Sequence, residues 1–448
     1  MSNIKTKEGL QRVVGIPGLS LAIINGIIGA GIFVLPAIVN LKLGAFSIVG
    51  YIFCIIMLAA ILLCYAEIGS RVTTSGGSYA YVEAAFGPFP AYVINWLSFF
   101  GWGILGSAAL MNIIADSLAI FVPTLSIPLV RSSFFFVLIG CMIWVNIKGA
   151  KYGVRLVQFI TIIKLIPLLA IIVFGFSSIK LPALNWGQAP SLKTFGDTAL
   201  ILFFAFAGFE TALGVSGELK NPKRTVPISI LIGGLVVLTV YLLLQLVTQG
   251  VLGTNMAAFK DAPLAAVAAK IAGPLGATAL IAVTAISCFG SVSADVLATP
   301  RVLFAAANDG SFPAFLGKVH PKNATPFVAI ISYAALIFMF SVFGGFKQLA
   351  VLASAAILVI YLAVILATIR LRTKKTPVIA GTFKVPGGLF VPVIGIISIT
   401  WLLASLTKKE TLATVVFIIL VSSTYFVVKK LKKRKMVLVP GENIVQQL

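Results

Sequence analysis

Apolar runs of about twenty residues, separated by short basic or Gly/Pro-rich connections, fill the chain from about residue 17 to residue 428. Each is long enough to cross a bilayer core of about 30 Å at about 1.5 Å per helical residue. The pattern predicts spans near 17–40, 43–69, 88–121, 131–148, 154–177, 195–217, 226–252, 273–300, 325–343, 347–370, 388–406 and 411–428. The longest outer connection, about 178–194, holds Pro182, Gly187 and Pro190 and is a linker, with Trp186 expected at the membrane interface. No run is left over for a soluble domain. The expected fold class is an all-α polytopic membrane protein of one domain with 12 transmembrane helices.

Two of the runs carry internal weak points. In the first, Asn25-Gly26-Ile27-Ile28-Gly29-Ala30-Gly31-Ile32 places three glycines within six residues, each costing about 1 kcal/mol relative to alanine in a helix interior. A membrane helix tolerates this where the freed backbone faces protein, a ligand or a wet cavity. A break there exposes N–H groups on one half and C=O groups on the other. Such a site holds a carboxylate and an ammonium without a charged side chain. A close helix-packing seam explains the same glycines equally well. The second stretch, Phe203-Phe204-Ala205-Phe206-Ala207-Gly208-Phe209-Glu210, lies in the run that becomes helix six if the chain is two inverted repeats of five helices. Paired interruptions at corresponding positions point to a transporter site.

Composition narrows the class further. With 448 residues, 60% of them hydrophobic and 10% charged, the chain is not a soluble enzyme. Cys54, Cys64, Cys141 and Cys288 fall inside apolar runs without metal-ligand spacing and read as small core hydrophobes. With His320 as the single histidine, in a loop, neither a metal cluster nor a Ser-His-Asp site is available. No Walker motif supports an ATP-driven pump, and no repeated filter supports a channel. The net charge of +22 is a matter of topology rather than of nucleic acid binding. With the N-terminus inside, twenty-four basic residues fall on the cytoplasmic side and nine outside, while Lys164 lies deep within a span. That bias supports the span count and cytoplasmic termini in a cell membrane. The cluster Lys429 to Lys435 reads as a juxtamembrane anchor touching anionic lipid headgroups. The first run is too long for a cleavable signal.

Several short motifs together resemble the amino acid–polyamine–organocation superfamily of transporters. They are Gly29-Ala30-Gly31-Ile32-Phe33, Ser75-Gly76-Gly77-Ser78-Tyr79-Ala80-Tyr81, Phe86-Gly87-Pro88-Phe89, Phe206-Ala207-Gly208-Phe209-Glu210, Lys220-Asn221-Pro222-Lys223-Arg224-Thr225-Val226-Pro227 and Asn308-Asp309-Gly310. The resemblance implies a LeuT-like 5+5 inverted repeat with broken helices 1 and 6. It places the first repeat at about 17–177, the second at about 195–370, and peripheral helices 11 and 12 at about 388–428. It also implies alternating access around a midplane site, an amino acid or amine as cargo, and no cofactor. Ile27, Ile28, Gly29, Ala30 and Gly31 match the segment that holds the substrate carboxylate. Ala205, Ala207 and Gly208 match the unwound segment whose carbonyls receive the α-ammonium, and Phe204 falls where arginine/agmatine exchangers carry a gating aromatic. Two residues depart from those exchangers. Asp295 stands near a pocket-lining tryptophan position, and Lys164 resembles the lysine that replaces sodium in proton-coupled members.

The charges inside spans carry their own argument. Lys164 is about 15 Å from either end of its span, too far for its stem to snorkel, so it faces a cavity or a partner. It is a candidate proton site or a permanent tie to backbone carbonyls. Glu210, directly after the helix-six break, either ties that half-helix to its neighbours or carries protons. Asp295 either meets a cationic or amine group of the cargo or is a hydrogen-bonded structural acid. Glu67 beside Arg71, at the inner end of helix two, reads as a cytoplasmic gate or a rim ion pair. The sequence thus predicts a secondary active amino acid transporter, proton-coupled and sodium-independent, for neutral or cationic cargo. An amino acid/amine exchanger and a transport-inactive receptor are the alternatives.

Overall fold

A computed structural model describes residues 14–29, 31–74, 76–148, 150–179, 188–259, 262–308, 314–323, 325–373 and 381–437. Fifteen α-helices follow one another among these residues, and the only strand-like pairing among them is a single bridge between Val14 and Leu219. The first apolar run is two helices, α1 (Ile16–Ile27) and α2 (Gly31–Leu43), separated at Ile28 and Gly29. Then come α3 (Ser47–Arg71), α4 (Ser78–Phe86), α5 (Pro88–Trp96), a π-helical stretch Leu97–Ile104, α6 (Leu105–Ala119), α7 (Pro128–Lys148) and α8 (Ala150–Gly175). In the second half, α9 (Leu192–Phe203) is followed by a 3₁₀ turn Phe204–Phe206 and, after Ala207 and Gly208, by a 3₁₀ segment Phe209–Glu218. The chain continues with α10 (Pro222–Leu252), α11 (Pro263–Asn308), α12 (Phe327–Phe343), α13 (Phe346–Thr373), α14 (Phe390–Ala404) and α15 (Lys408–Val437).

The starts follow from local chemistry. Proline opens α1, α5 and α10 in the first turn, where its missing N–H costs nothing. Ser191 caps α9 by accepting the Thr194 amide at 3.1 Å. The long helix α11 is kinked at Ala272 and Gly273, just before Pro274. The final helix runs past the apolar stretch to Val437, carrying the basic cluster on helix. Among the described residues, eight stretches are long and apolar enough to cross a membrane, with α1, α12 and α14 as shorter apolar helices. Large apolar side chains on the outer faces of α7, α8 and α15 are open to the surroundings, as the bilayer-facing surface of a multi-pass membrane protein requires.

Two buried cores flank the centre. One gathers α1, α2, α3, α9, α10 and α13; the other gathers α6, α11 and α12. Val34, Trp102 and Phe346 border both. Both interrupted helices lie on this boundary. Three of the four cysteines are buried, whereas Cys141 sits on the exposed face of α7 and is not a core residue.

Candidate functional site

A cavity of about 540 Å³ lies at the boundary between the cores. Of the residues singled out from sequence, Ile27, Gly29, Gly31, Phe204, Ala205, Ala207, Gly208 and Asp295 line it. Ala30 lies outside the described residues. Ile28 does not line the cavity; it is fully buried in the core.

The two breaks touch. A side-chain carbon on Gly26 would come 2.5 Å from the Gly208 carbonyl oxygen, and one on Gly208 would strike the Gly26 oxygen in return. Gly208 also takes φ +114°, a conformation that L side chains rarely adopt. The sequence cannot vary here without separating the two chains. One turn on, Gly31 at the head of α2 presses against Ala205, whose Cβ would lie 2.5 Å from any Cβ on Gly31. The N-terminal end of α2 thus meets the end of the α9 segment. The first N–H groups of a helix and the last C=O groups of another have no intrahelical partners, so opposite partial charges converge on one side of the cavity.

The carbonyls around the helix-one break are already engaged by side chains from three other helices. Lys164 of α8 donates from Nζ to the Asn25 oxygen at 3.0 Å and to the Ile28 oxygen. Tyr241 of α10 donates to the Ile27 oxygen at 3.0 Å, and Ser287 of α11 to the Gly29 oxygen at 3.3 Å. Lys164 has no exposed surface, and none of the ion pairs found among the described residues involves it. An ammonium in that setting is held by backbone dipoles. Tyr241 and Ser287 were not singled out from the sequence. A tyrosine in mid-span carries no clear signal, but Ser287, Ser291, Asp295 and Thr299 recur every four residues and form a polar stripe on α11 that the sequence does display.

The helix-six break is tied with the opposite polarity. The Gly208 amide donates to Glu210 Oε2 at 3.1 Å, and Tyr361 of α13 donates its hydroxyl to the same oxygen at 2.5 Å. Thr211 returns a hydrogen bond to the Gly208 carbonyl at 2.8 Å. Glu210 Oε1 is buried with no hydrogen-bond partner, which leaves one acceptor oxygen unused in an apolar setting. Glu210 does not line the cavity; it sits behind the break.

Asp295 faces the cavity from α11 and accepts a hydrogen bond from Ser107 of α6 at 2.8 Å. No cationic side chain pairs with it among the described residues. Phe204, 6% exposed, packs on Trp102 at 5.7 Å and on Phe346 at 5.9 Å between ring centroids. Phe346 begins α13, at the end of the bundle far from Val14, so this aromatic layer separates the cavity from that end. Toward the near end the cavity is open, running out past the exposed Gly18, Leu21 and Ala22 of α1 and Thr211.

Glu67 forms the expected ion pair with Arg71 at the C-terminal end of α3 and does not line the cavity. It is fully buried and accepts from Arg71 at 2.8 Å, from Arg372 Nε at 2.8 Å and Nη2 at 2.5 Å, and from the Val385 amide at 2.8 Å. This cluster ties the near ends of α3 and α13 to the segment before α14. It is intact while the cavity is open on the same side, so it is not the door of the cavity in this conformation.

Comparison with known proteins agrees with the geometry. The sequence profile of the amino acid permease family matches residues 15–431. The serine/threonine exchanger SteT of Bacillus subtilis is 28% identical over 96% of this chain and 98% of its own length. The human cystine/glutamate transporter is 31% identical over 86% of this chain and 78% of its own. The cadaverine/lysine antiporter of Escherichia coli is 29% identical over 75% of this chain and 76% of its own. Two interrupted helices that meet beside a cavity, in a chain matched from end to end by transporters, leave one assignment: the chain belongs to the amino acid permease family, and it is a membrane transporter and not an enzyme.

Proposed function

We propose that the protein carries amino acids across the cytoplasmic membrane by alternating access, driven by protons and independent of sodium. The observation that carries this reading is Lys164. Its ammonium reaches the Asn25 and Ile28 carbonyls between α1, α8 and α11, where a sodium ion would need several free oxygen ligands. With lysine there, binding and losing a proton replaces binding and losing a cation: the charged form ties α8 to the helix-one break, and the neutral form loosens it. Glu210, behind the other break with one oxygen unpartnered, is the second candidate for proton transfer.

The architecture that goes with this reading has twelve spans. In it, α1 to α8 form one repeat, α9 to α13 its inverted counterpart, and α14 and α15 lie at the periphery. The breaks after α1 and after α9 occupy corresponding places in the two halves, which supports the pairing. The surplus of basic residues at the near end supports a cytoplasmic position for both termini. The open cavity then faces the cytoplasm, and Trp102, Phe204 and Phe346 close the outer path.

In this site the cargo carboxylate meets the N–H groups at the head of α2, with Gly29 and Gly31 beside it. The α-ammonium meets the carbonyls of Phe204, Ala205 and Ala207. Asp295 favours a neutral or cationic side chain and repels an acidic one. A second reading, exchange of an amino acid for an amine, is favoured by the same unpaired Asp295 and by the cadaverine/lysine antiporter among the relatives.

The test is uptake into proteoliposomes of a panel of labelled amino acids and amines, with sodium and proton gradients imposed separately. Uptake that persists without sodium and rises with an inward proton gradient is expected. Uptake that stops when sodium is removed and ignores the proton gradient refutes the coupling; strong accumulation of glutamate refutes the role of Asp295.

A further inference from the structure

The continuous helical stretch Pro88–Ala119 (helix three, made of α5, Leu97–Ile104 and α6) is not regular where it passes the cavity. Between α5 and α6 the eight residues Leu97–Ile104 form a π-helical stretch. Such stretches are rare, widen the turn to i→i+5 bonding, and are frequent at functional sites. The wider turn rotates the residues that follow relative to the start of the helix. The result is a stripe at four-residue spacing, Trp102, Gly106 and Leu110, all of which line the cavity.

Trp102 is half-buried and spans the space between helix three and the helix-six break. Its Cζ2 lies 3.5 Å from where a side chain on Gly208 would begin, and its ring is 5.7 Å from that of Phe204. At the other edge, Cδ2 and Cε3 lie 3.9 Å from where a side chain on Gly106 would begin. One edge of the indole therefore borders Gly208, next to the Ala207 carbonyl assigned above to the cargo ammonium, and the other borders a methyl-sized gap at Gly106, where helix three carries no side chain. Beyond that gap, Ser107 presents Asp295.

We propose that Trp102 sets which cargo side chains are accepted: an unbranched stem passes the ring through the gap at Gly106 toward Asp295, and a stem branched at Cβ strikes the ring. This rests on the amino acid transport reading, since the position of the cargo Cβ follows from the placement of its ammonium. It names the class that reading leaves open, which is amino acids with slender, unbranched side chains ending in an apolar, hydroxyl or amine group.

Isomers test it without changing the apolar area of the competitor. Uptake of the best-transported labelled amino acid into proteoliposomes is competed with norvaline against valine and with norleucine against isoleucine. In the wild type the unbranched isomer should inhibit at about tenfold lower concentration, the scale of a misplaced methyl group in a fitted pocket. Trp102→Ala should bring the ratio to within about twofold, and Trp102→Phe should fall between. Gly106→Ala adds a methyl group at ordinary contact distance from the ring, so folding is spared. It should weaken norleucine about tenfold more than alanine. If Trp102→Ala does not fold, Trp102→Phe and Gly106→Ala carry the test. A wild-type ratio near one, or a ratio unmoved by the variants, overturns the assignment of Trp102 while leaving transport intact. Absence of uptake of any amino acid refutes the transport reading itself.

Discussion

The two helix breaks solve the same problem with opposite chemistry. At the first, a cation and two hydroxyls occupy the carbonyls of Asn25, Ile27, Ile28 and Gly29. At the second, an anion and a hydroxyl occupy the Gly208 amide. In the proposed site each break then offers the cargo the opposite polarity: N–H groups at the head of α2, C=O groups at the end of the α9 segment. A hydrogen bond to a charged group contributes about 1.5–3 kcal/mol, more than the 0.5–1.5 kcal/mol of a neutral one. The Lys164 and Glu210 ties hold each break in this arrangement, and on the proton-coupled reading a change in their charge releases it. If the proposed site is right, a zwitterion is held without a charged residue in contact with it, by backbone that Lys164 and Glu210 tie from behind.

The largest effect should come from separating the breaks. Gly208→Ala combines a strained φ with a collision against the Gly26 carbonyl, for a combined cost of about 3 kcal/mol or more. Transport should fall by more than about a hundredfold at matched protein level, since 1.4 kcal/mol is about tenfold. Gly214→Ala, in the same 3₁₀ segment with no atom near the added methyl, should stay within about 0.5 kcal/mol of wild type in thermal stability. Equal behaviour of the two variants would mean that the contact between the breaks is dispensable.

Next comes the contrast between the charges. Lys164→Ala leaves the buried carbonyls of Asn25 and Ile28 without their donor, and proton-driven accumulation should be lost altogether. Glu210→Gln keeps the shape and an acceptor for the Tyr361 hydroxyl, so uptake should fall only about tenfold. Flux driven by the cargo gradient alone, measured in both variants, separates coupling from binding. Accumulation surviving in Lys164→Ala would reduce that lysine to a structural tie and remove the asymmetry between the breaks.

How much of this was readable beforehand follows from what sequence encodes. The breaks were legible because glycines inside an apolar run are expensive and therefore conspicuous, and Lys164, Glu210 and Asp295 because charges in spans are rare. The all-helical, apolar character of the described chain follows from length and hydropathy. The partners Tyr241, Ser287 and Trp102 were not found, since an uncharged residue in a span gains meaning only from the face it turns inward. For Trp102 even helical periodicity misleads: the π-helical stretch changes the angle per residue just where the face is decided. The Glu67–Arg71 pair, expected as a gate or a rim ion pair, was legible from their i,i+4 spacing; the second partner, Arg372, is brought to Glu67 only by the packing of α13 on α3.

A smaller effect is expected where the break is covered by packing. Phe204 contributes a ring between the cavity and the far end, and Phe204→Ala opens a path past Trp102 and Phe346. Transport should drop about tenfold with expression unchanged, while Phe204→Trp, which restores a flat ring, should keep partial activity. Equal uptake by wild type and the alanine variant would show that the ring is core filler.

The finest test asks whether the neutral ties matter once the lysine is in place. Tyr241→Phe removes only the hydroxyl that reaches the Ile27 carbonyl at 3.0 Å, and Ser287→Ala one that reaches Gly29 at 3.3 Å. Each neutral bond contributes about 0.5–1.5 kcal/mol, so Tyr241→Phe should weaken cargo binding about threefold to tenfold and Ser287→Ala less. The freed carbonyls lie at the break whose N–H groups are proposed to hold the cargo, so the loss should act by letting the break shift rather than by removing a cargo contact. Two things follow. The effect should appear in the affinity for every amino acid alike, leaving their order unchanged, and in Lys164→Ala it should shrink, because a break already released has no geometry left for Tyr241 to hold. A double-mutant cycle between Lys164 and Tyr241, read by cargo-induced thermal stabilisation, measures that coupling directly. Strict additivity would mean that the carbonyls are held independently, and that the helix-one break is a set of separate contacts rather than one unit governed by its cation.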